Sequence, residues 1–503
     1  MSPVLLADVV STSAAVAATR SRTAKVAALA QTLSAAAPDE RSVVASFLAG
    51  SLRQRRTGLG WRSLGSLPPA ASSPSLTVRE VDEAFAAIAA LAGPGSQGAR
   101  AAAVEHLFSR AVVEEQAWLS GVVTGNLRQG ALDALVQDAA ARAADVAPAD
   151  VRRAAMLAGS TVAAAVAALD GGSAALASFR LEVGRPVLPM LASTAPGIEE
   201  AFAKAGGGTL AVDTKLDGIR IQVHRSGDAV QIVTRTLEDI TARLPEVVDI
   251  VRALPLTSVV LDGEALALGP DGRPRPFQET ASRTAQAAGQ SVTPFFFDLL
   301  HLDGRDLLDS PGSARLAALA SVVPPAYLVP RLVTASVEEA AAFSTSALAA
   351  GHEGVVVKDL AAGYDAGRRG AAWVKVKPVH TLDLVVLAVE WGSGRRSGLL
   401  SNIHLGALDP DGGFVMLGKT FKGLSDQLLQ WQTRRFTELM VDDSGWVVTV
   451  RPEQVVEIAF DGVQRSSRYP GGVALRFARV VRYRDDKTAD EADTIDDVRA
   501  FLP

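Results

Sequence analysis

The spacing of apolar residues changes near residue 180, and this change limits what the chain can fold into. Before it, apolar residues recur at helical intervals in an Ala-rich background. After it, short runs of β-branched and aromatic residues alternate with Gly- and Asp-containing turns. At 503 residues the chain is also too long for one hydrophobic core. The sequence therefore predicts a multidomain protein whose first domain is all-α and whose later domains are rich in strands.

The predicted all-α domain spans residues 1–184. Thr77 and Glu80 have the spacing of a capping box. Apolar residues that fall on one face of the following helix are Val81, Phe85, Ile88 and Leu91. Low complexity is the alternative interpretation of the high Ala content, but the regular apolar spacing favours a packed bundle of helices.

The second predicted domain spans residues 185–380 and begins at a proline-containing connector, 185–190. Its candidate strands lie at 219–223, 259–261, 295–297, 355–357 and 373–377. Asp-Gly pairs at 217–218, 262–263, 271–272 and 303–304 predict turns between strands. These features indicate an α+β domain built on antiparallel sheets.

The third predicted domain spans residues 381–503. Candidate strands lie at 384–389, 414–417, 446–450 and 455–460, with a turn at 411–413. A domain of this length with about five strands fits an OB-fold β-barrel, although the pattern alone does not distinguish it from another small barrel.

Composition excludes several classes of site. The chain has no Cys, so it has neither disulfides nor a thiolate zinc site, and its six His residues show no ligand spacing. We expect no signal peptide and no membrane-spanning segment, because the start lacks a basic region before a clean apolar run and no apolar run reaches about 18 residues. The net charge of −5 means that any binding of nucleic acid must use local basic patches.

Lys215 is the leading candidate for a reactive residue. Only nine of the 50 Lys and Arg residues are lysine. Arginine cannot act as an amine nucleophile, so a chain that prefers arginine should keep lysine where the amine must react. Lys215 lies in the run Lys215-Leu216-Asp217-Gly218. Taken alone, this run also fits an exposed lysine in a β-turn.

An ordered series of further motifs changes this interpretation. Arg220 and Arg235 follow Lys215, and Glu264 ends the run Leu-Asp-Gly-Glu. The members that come later in the chain are Phe297, Glu353, Lys358, Arg369, Lys375, Lys377 and the basic block 475–487. In this order and spacing they resemble the motifs of covalent nucleotidyltransferases, and specifically the three-domain ATP-dependent DNA ligases of archaea and some bacteria, which are related to the eukaryotic replicative ligase. The resemblance covers almost the whole chain.

The resemblance implies a three-step reaction. Lys215 attacks the α-phosphate of ATP and forms lysyl-AMP with release of pyrophosphate. The AMP passes to the 5′-phosphate of a nick, and the 3′-hydroxyl then displaces it and seals the strand. The domains would be a helical DNA-binding domain, an adenylation domain and an OB-fold domain, with roles in replication, repair or recombination.

The resemblance also suggests roles for the other residues. Phe297 offers a flat face for adenine, although core packing is its ordinary role. Asp213 lies near the adenine or in the pocket wall, with a surface carboxylate as the alternative. Glu264 holds the ribose or a metal and Glu353 holds a metal, Mg²⁺ or Mn²⁺, since hard oxygen ligands suit such ions. Predicted phosphate or ribose contacts are Arg220, Arg235, Arg369, Lys358, Lys375 and Lys377. The block 476–487 would orient pyrophosphate when the barrel closes.

The implied partner is nicked double-stranded DNA. Arginines at 53, 55, 56 and 62 predict a loop that contacts phosphates, with a flexible surface loop as the alternative. Arg128-Gln129-Gly130 resembles a DNA-contacting turn. The resemblance further implies a cytoplasmic, nucleoid-associated monomer of a bacterial or archaeal cell that binds no membrane. A sliding-clamp partner is left open.

Three alternatives share parts of the pattern. An RNA ligase or an mRNA capping guanylyltransferase uses the same lysyl-nucleotide chemistry, but the long helical domain and the C-terminal basic block favour a DNA ligase. An NAD-dependent ligase needs zinc-binding cysteines, which are absent. A non-catalytic nucleic-acid-binding scaffold is disfavoured because the reactive and acidic residues are all present.

Overall fold

A computed structural model describes residues 3–54, 56–127, 133–285, 291–365, 369–392, 396–443 and 445–502. Within these ranges the chain has an N-terminal helical part, a central part with two sheets, and a C-terminal part rich in strands. None of the described helices is both long and apolar enough to cross a lipid bilayer.

The helical part packs around one apolar core. Its helices are α1 (Leu6–Ala18), α2 (Arg22–Ala35), α3 (Arg41–Leu48), α4 (Val78–Ala90), α5 (Ser96–Ser109), α6 (Val113–Val123), α7 (Asp133–Ala144), α8 (Pro148–Ala158) and α9 (Thr161–Ala177). The predicted capping box is confirmed at the start of α4, where Thr77 Oγ1 accepts from Glu80 N at 3.2 Å and Glu80 Oε2 accepts from Thr77 N at 2.8 Å. Val81, Phe85 and Ile88 are fully buried on the inner face of this helix, as the spacing predicts, whereas Leu91 follows the end of the helix and is half-buried.

The central part contains ten strands and five helices among its described residues. The strands are β1 (Leu191–Thr194), β2 (Leu210–Lys215), β3 (Ile219–Ser226), β4 (Ala229–Thr234), β5 (Ser258–Leu266), β6 (Thr293–Leu302), β7 (Arg305–Asp306), β8 (Arg331–Thr334), β9 (Gly354–Asp359) and β10 (Arg369–Val376). The helices are α10 (Ile198–Lys204), α11 (Pro245–Arg252), α12 (Phe277–Ala285), α13 (Gly312–Val322) and α14 (Val337–Ala349).

These strands form two five-stranded sheets with the orders β1-β10-β9-β2-β8 and β4-β3-β5-β6-β7. All neighbours are antiparallel except β1 and β10, which run parallel. Since β2 belongs to the first sheet and β3 to the second, the short turn between them joins the two sheets. The α+β architecture that the sequence predicts is therefore present.

The turn predicted at Asp262-Gly263 is wrong, because both residues lie inside β5. Asp262 is fully buried and accepts two hydrogen bonds from Arg220, which compensates for placing a carboxylate in a strand. A Cβ atom on Gly263 would lie 2.8 Å from Phe296 Cδ1 and 2.9 Å from the Phe295 carbonyl oxygen. Close approach of β6, rather than a change of direction, therefore explains this glycine.

The C-terminal part is a strand-rich domain consistent with an OB-fold. Its strands are β11 (His380–Trp391), β12 (Leu400–Leu408), β13 (Phe414–Thr420), β14 (Met440–Asp443), β15 (Val447–Val450), β16 (Val455–Phe460), β17 (Gly462–Arg465), β18 (Val473–Arg476) and β19 (Arg479–Tyr483), with helices α15 (Asp426–Glu438) and α16 (Ile495–Arg499). β11 pairs with β12, β15 and β16, and β17 pairs with β18 in a separate hairpin. More strands are present than the five or so predicted.

Ion pairs connect the three parts. Arg153 of α8 donates two 2.7 Å hydrogen bonds to the Asp309 carboxylate of the central part. Arg20, in the turn between α1 and α2, pairs with Asp426 at the start of α15. The helical part therefore touches both of the other parts.

Candidate active site

Lys215 is the last residue of β2 and is paired with Gly354 of β9. The backbone N–H of Glu353 donates to the Lys215 carbonyl oxygen at 3.0 Å. This pairing brings the two side chains together, and the Lys215 ammonium donates a hydrogen bond to the Glu353 carboxylate. Both side chains are largely shielded, with 23% and 15% of their surface exposed. Strand pairing thus explains how two predicted site residues meet.

The turn after Lys215 is fitted closely to β5. A Cβ atom on Gly218 would lie 2.3 Å from the Ala265 carbonyl oxygen and 3.0 Å from Glu264 Cγ, so only glycine fits there. The Gly218 backbone amide lies near the Glu264 carboxylate and acts to lower its pKa. Burial raises the pKa of Glu264 to about 7, although Lys215 and Arg220 both act in the opposite direction. The turn therefore holds Glu264 close to the lysine.

A pocket of about 470 Å³ opens beside Lys215. Its size is in the usual range for small-molecule sites. Predicted site residues that line it are Asp213, Lys215, Arg220, Arg235, Glu264, Phe297, Lys358 and Lys375. Glu353 and Lys377 line a neighbouring cleft instead. Arg369 is the first residue of β10, and its side chain lies outside the described part of the structure.

Aromatic rings form one wall of the pocket. Phe297 and Trp373 meet edge to face, with ring centroids 5.9 Å apart and planes at 82°. The Lys358 ammonium lies 4.6 Å from the Phe297 ring centroid and 4.2 Å from that of Trp373. The sequence predicted Phe297 for this site but treated Trp373 only as part of a strand.

Asp213 lies in the wall of the pocket and is bound to two cations. Lys358 Nζ is 2.7 Å from its Oδ2 atom, and Arg331 binds both carboxylate oxygens, with Nε 2.5 Å from Oδ1 and Nη2 2.8 Å from Oδ2. These cations hold the pKa of Asp213 below its usual value despite complete burial. Arg331 was missed from the sequence. A single cation after Pro330 in an otherwise apolar strand was the available signal, since a buried arginine needs a partner.

Arg220 lies at the base of the pocket in a fixed orientation. Its Nε and Nη2 atoms bind Asp262 at 3.0 and 2.6 Å, and Nη1 donates to the Met190 carbonyl oxygen at 2.7 Å. Tyr364 donates to the same carboxylate at 2.8 Å. The predicted arginine is therefore held by a buried network whose other members the sequence did not indicate.

A second cleft, of about 810 Å³, separates the central part from the barrel. Arg476 of the barrel binds Asp217, with Nη1 2.5 Å from Oδ2 and Nη2 3.2 Å from Oδ1. Lys377 Nζ lies 2.5 Å from Asp461 Oδ2 and 4.0 Å from Glu353 Oε1. These ion pairs join the barrel to the turn after Lys215 and to the residue that follows β10. Asp461 was not among the predicted site residues.

Only the first part of the C-terminal basic block reaches this cleft. Arg476 lines it, and Arg479 lies 3.3 Å from Asp461. Arg484 and Lys487 instead each lie 2.8 Å from the Asp383 carboxylate on β11. In this arrangement the block is therefore divided between the cleft and the side of the barrel.

The two candidate metal ligands lie on either side of Lys215, in neighbouring cavities. Glu264 and Glu353 both neighbour Lys215. Within the described residues, no group of three or more His, Asp or Glu side chains has the arrangement of a metal site. Two carboxylates suit Mg²⁺, which usually takes its remaining ligands from water and substrate phosphates.

The predicted DNA-contacting arginines are partly bound to acids. Arg53 pairs with Asp82 at 3.4 Å, Arg56 with Glu238 at 3.5 Å, and Arg62 is exposed. Arg55 and the predicted turn 128–130 lie outside the described residues.

Comparison with known proteins finds one family in all three parts of the chain. Family models match at residues 62–141 (DNA ligase N terminus), 189–377 (ATP dependent DNA ligase domain) and 396–487 (ATP dependent DNA ligase C terminal region). Proteins named "Probable DNA ligase" from Nocardioides sp. and Kineococcus radiotolerans are each 68% identical to this chain, over 99% of both sequences.

A solved structure named Pmar-Lig_PreS3 covers 95% of this chain and 99% of its own, with a TM-score of 0.61 and 18% identity. At that identity the likeness concerns the fold alone. The high identity to the curated relatives and the matches to all three family models decide the assignment. This chain belongs to the ATP-dependent DNA ligase family, whose enzymes seal nicks in DNA through an adenylated intermediate.

Proposed function

We propose that Lys215 is the residue that takes AMP from ATP in this ligase. The observation that carries the proposal is its position, at the end of β2 and at the mouth of a pocket that has an aromatic wall and several cations. The Lys215 Nζ atom forms a bond to the α-phosphorus while the bond from that phosphorus to the bridging oxygen breaks, and pyrophosphate leaves. Covalent catalysis of this kind divides one difficult step into easier ones.

Adenine stacks on Phe297, and Trp373 supports that ring from its edge. Asp213 forms part of the pocket wall. Arg220, Arg235 and Arg369 contact phosphate or ribose, and Lys358, Lys375 and Lys377 add positive charge for the phosphates. Support comes from the shared pocket for most of this set, and from the neighbouring cleft for Lys377.

Glu264 and Glu353 hold Mg²⁺ or Mn²⁺, and Glu264 alternatively holds the ribose. The ion neutralises charge on the phosphates when it is bound. Glu353 also accepts a hydrogen bond from the nucleophile, and this bond must break before the Lys215 amine can react. Lysine must also lose its proton to attack, and that proton passes to water.

The DNA partner is a nicked duplex with a 3′-hydroxyl and a 5′-phosphate. AMP moves from Lys215 to the 5′-phosphate, and the 3′-hydroxyl then attacks that phosphate and releases AMP. The side chains of Arg53, Arg56 and Arg62 contact the phosphate backbone of the DNA. The affinity that these contacts provide falls as the salt concentration rises. We expect a monomer that acts in the bacterial nucleoid, with domain limits at 1–184, 185–380 and 381–503. Separate apolar cores in the central and C-terminal parts support the second limit, whereas a further core joins Met156 and Leu157 of the helical part to the central part.

Mass spectrometry of the purified protein tests the proposal. We expect an AMP adduct on the peptide that contains Lys215, removed by added pyrophosphate. Lys215→Arg should carry no adduct and should still bind nicked DNA. Lys204→Arg is the matched control, because Lys204 is an exposed lysine of the same part of the chain, and it should be adenylated normally.

Two results would contradict the assignment. Sealing by Lys215→Arg at the wild-type rate would exclude Lys215 as the nucleophile. An adduct formed from labelled GTP but not from labelled ATP would instead indicate a guanylyltransferase.

A further inference from the structure

Arg331 contacts two groups of the pocket although it does not line the pocket itself. On β8 it is paired in register with Asp213 of β2. Its Nε and Nη2 atoms bind the two Asp213 oxygens at 2.5 and 2.8 Å, and Nη2 also donates to the Phe297 carbonyl oxygen at 3.0 Å. One guanidinium therefore connects β2 of the first sheet to β6 of the second.

Lys358 binds the same two acceptors from the pocket side. Its Nζ atom lies 2.7 Å from Asp213 Oδ2 and 3.2 Å from the Phe297 carbonyl oxygen. An ammonium has three N–H groups, so these two bonds leave one for a ligand. Lys358 is only 5% exposed but lines the pocket, where a ligand would meet that group.

Two basic side chains share the one Asp213 carboxylate beneath the pocket, although burial lowers the pKa of Lys358. Asp298, the next acid nearby, is already bound by Arg315 at 2.8 Å. Because a guanidinium does not lose its proton in proteins, Arg331 stays a charged partner of Asp213, and its contacts with both oxygens fix the orientation of the carboxylate.

We propose that Arg331 is a positioning residue for ATP, which fixes the Asp213 carboxylate and the Phe297 carbonyl so that the Lys358 ammonium is directed at the bound nucleotide. Arg331 acts through these groups and makes no contact with the substrate. The inference rests on the proposed function, since it takes the pocket of Phe297 and Lys358 as the ATP site.

Single-turnover adenylation with labelled ATP tests this role. For Arg331→Met we expect the ATP concentration at half-maximal rate to rise about tenfold, as for loss of one charged hydrogen bond, while the maximal rate changes by less than about twofold. Arg305→Met is the matched control, because it removes an exposed arginine of β7 and should leave both values unchanged.

A double-mutant cycle with Asp213→Asn separates positioning from a general structural effect. If Arg331 acts through Asp213, the double variant should need less than about twice as much ATP for half-maximal rate as Asp213→Asn alone. Fully additive effects of the two substitutions would overturn the proposal. A lower maximal rate with unchanged ATP dependence would also overturn it.

Arg331→Lys covers the case in which Arg331→Met does not fold. It keeps the charge but loses the two-point contact, so the half-maximal ATP concentration should still rise by about threefold. Wild-type ATP dependence in this folded variant would refute the positioning role. Absence of any adduct in the wild-type protein would instead refute the proposed function.

Discussion

Arg476 of the barrel binds Asp217, two residues after Lys215, through two contacts of 2.5 and 3.2 Å. An arginine that binds a carboxylate in this geometry can bind a phosphate in the same way. The barrel therefore brings a guanidinium to the turn that follows the proposed nucleophile.

We predict that Arg476→Ala slows adenylation of Lys215 by ten- to a hundredfold. This factor corresponds to the loss of one hydrogen bond to a charged group, which contributes about 1.5–3 kcal/mol. Sealing of a nick that already carries AMP should be affected less, because pyrophosphate takes no part in that step. Rapid-quench measurements on both substrates check this. Arg468→Ala, an exposed arginine of the same domain, should match the wild type. Equal losses in both steps would contradict the prediction.

Two neighbouring phenylalanines should separate binding from stability. Phe296 is fully buried, whereas Phe297 lines the pocket. We expect Phe297→Ala to weaken ATP binding by about 1–3 kcal/mol through loss of base stacking. Phe296→Ala should cost about 3–5 kcal/mol of unfolding free energy through cavity formation, with ATP affinity unchanged in the folded fraction. Isothermal titration measures ATP binding and urea unfolding measures stability. If Phe296→Ala weakens ATP binding and Phe297→Ala does not, Phe297 is not the stacking residue.

The Arg315–Asp298 ion pair should be important for stability. Both side chains are only 2% exposed, and Arg315 binds the two Asp298 oxygens at 2.8 and 3.2 Å. Asp298→Asn would leave a buried cation unpaired, so we predict a loss of about 3–5 kcal/mol in unfolding free energy. The Arg79–Asp39 pair is more than half exposed on each side, and Asp39→Asn should change stability by less than about 1 kcal/mol. Urea unfolding of the two variants measures both losses of stability. Equal losses would show that burial of the ion pair does not determine its contribution.

His224 should make stability depend on pH. Its Nδ1 atom accepts from the Gly184 backbone N–H at 3.1 Å, and burial together with the nearby His301 lowers its pKa to about 4. The unfolded chain, with a histidine pKa near 6.5, therefore binds this proton more readily than the folded chain. Unfolding free energy should fall as pH drops from 6.5 towards 4, by about 3 kcal/mol in total.

His224→Asn keeps an acceptor for Gly184 but cannot titrate. Urea unfolding between pH 5 and pH 7 should show a smaller pH dependence for this variant than for the wild type. An identical slope in both proteins would exclude His224 as the source.

Metal binding should depend on the nucleotide. Glu264 and Glu353 are two carboxylates, and no complete metal cluster exists among the described residues. We expect Mn²⁺, followed by electron paramagnetic resonance, to bind tightly only when α,β-methylene-ATP is also present, because phosphate oxygens complete its ligands. Glu353→Gln should weaken that binding, and the exposed Glu338→Gln should not. Tight Mn²⁺ binding without nucleotide would contradict this expectation.

Local patterns in the sequence were enough to indicate the helical bundle, the strands and the turn after Lys215. The capping box at Thr77 and the strand that ends at Lys215 depend mainly on nearby residues. The error at Asp262-Gly263 has a tertiary cause, since Arg220 stabilises a carboxylate inside a strand where local preference indicates a turn.

The missed residues share a different property. Arg331 meets Asp213 across 118 residues, and Asp461 meets Lys377 across 84. The sequence around Arg331 shows only that a cation lies in an apolar strand, and the sequence around Asp461 does not name its partner, so the pairing of distant strands and domains is needed to reveal both contacts. Trp373 was visible as a strand residue, but its contact with Phe297 also depends on how two sheets meet.

The contact between Arg20 and Asp426 has a topological consequence. With this contact the three parts form a closed ring. The helical part meets the central part through Arg153, and the central part meets the barrel through Arg476. Both partners are highly exposed, at 77% and 55%, and such a pair contributes only about 0–1 kcal/mol. The helical part can therefore move away from the barrel at little cost while Arg153 still binds it to the central part.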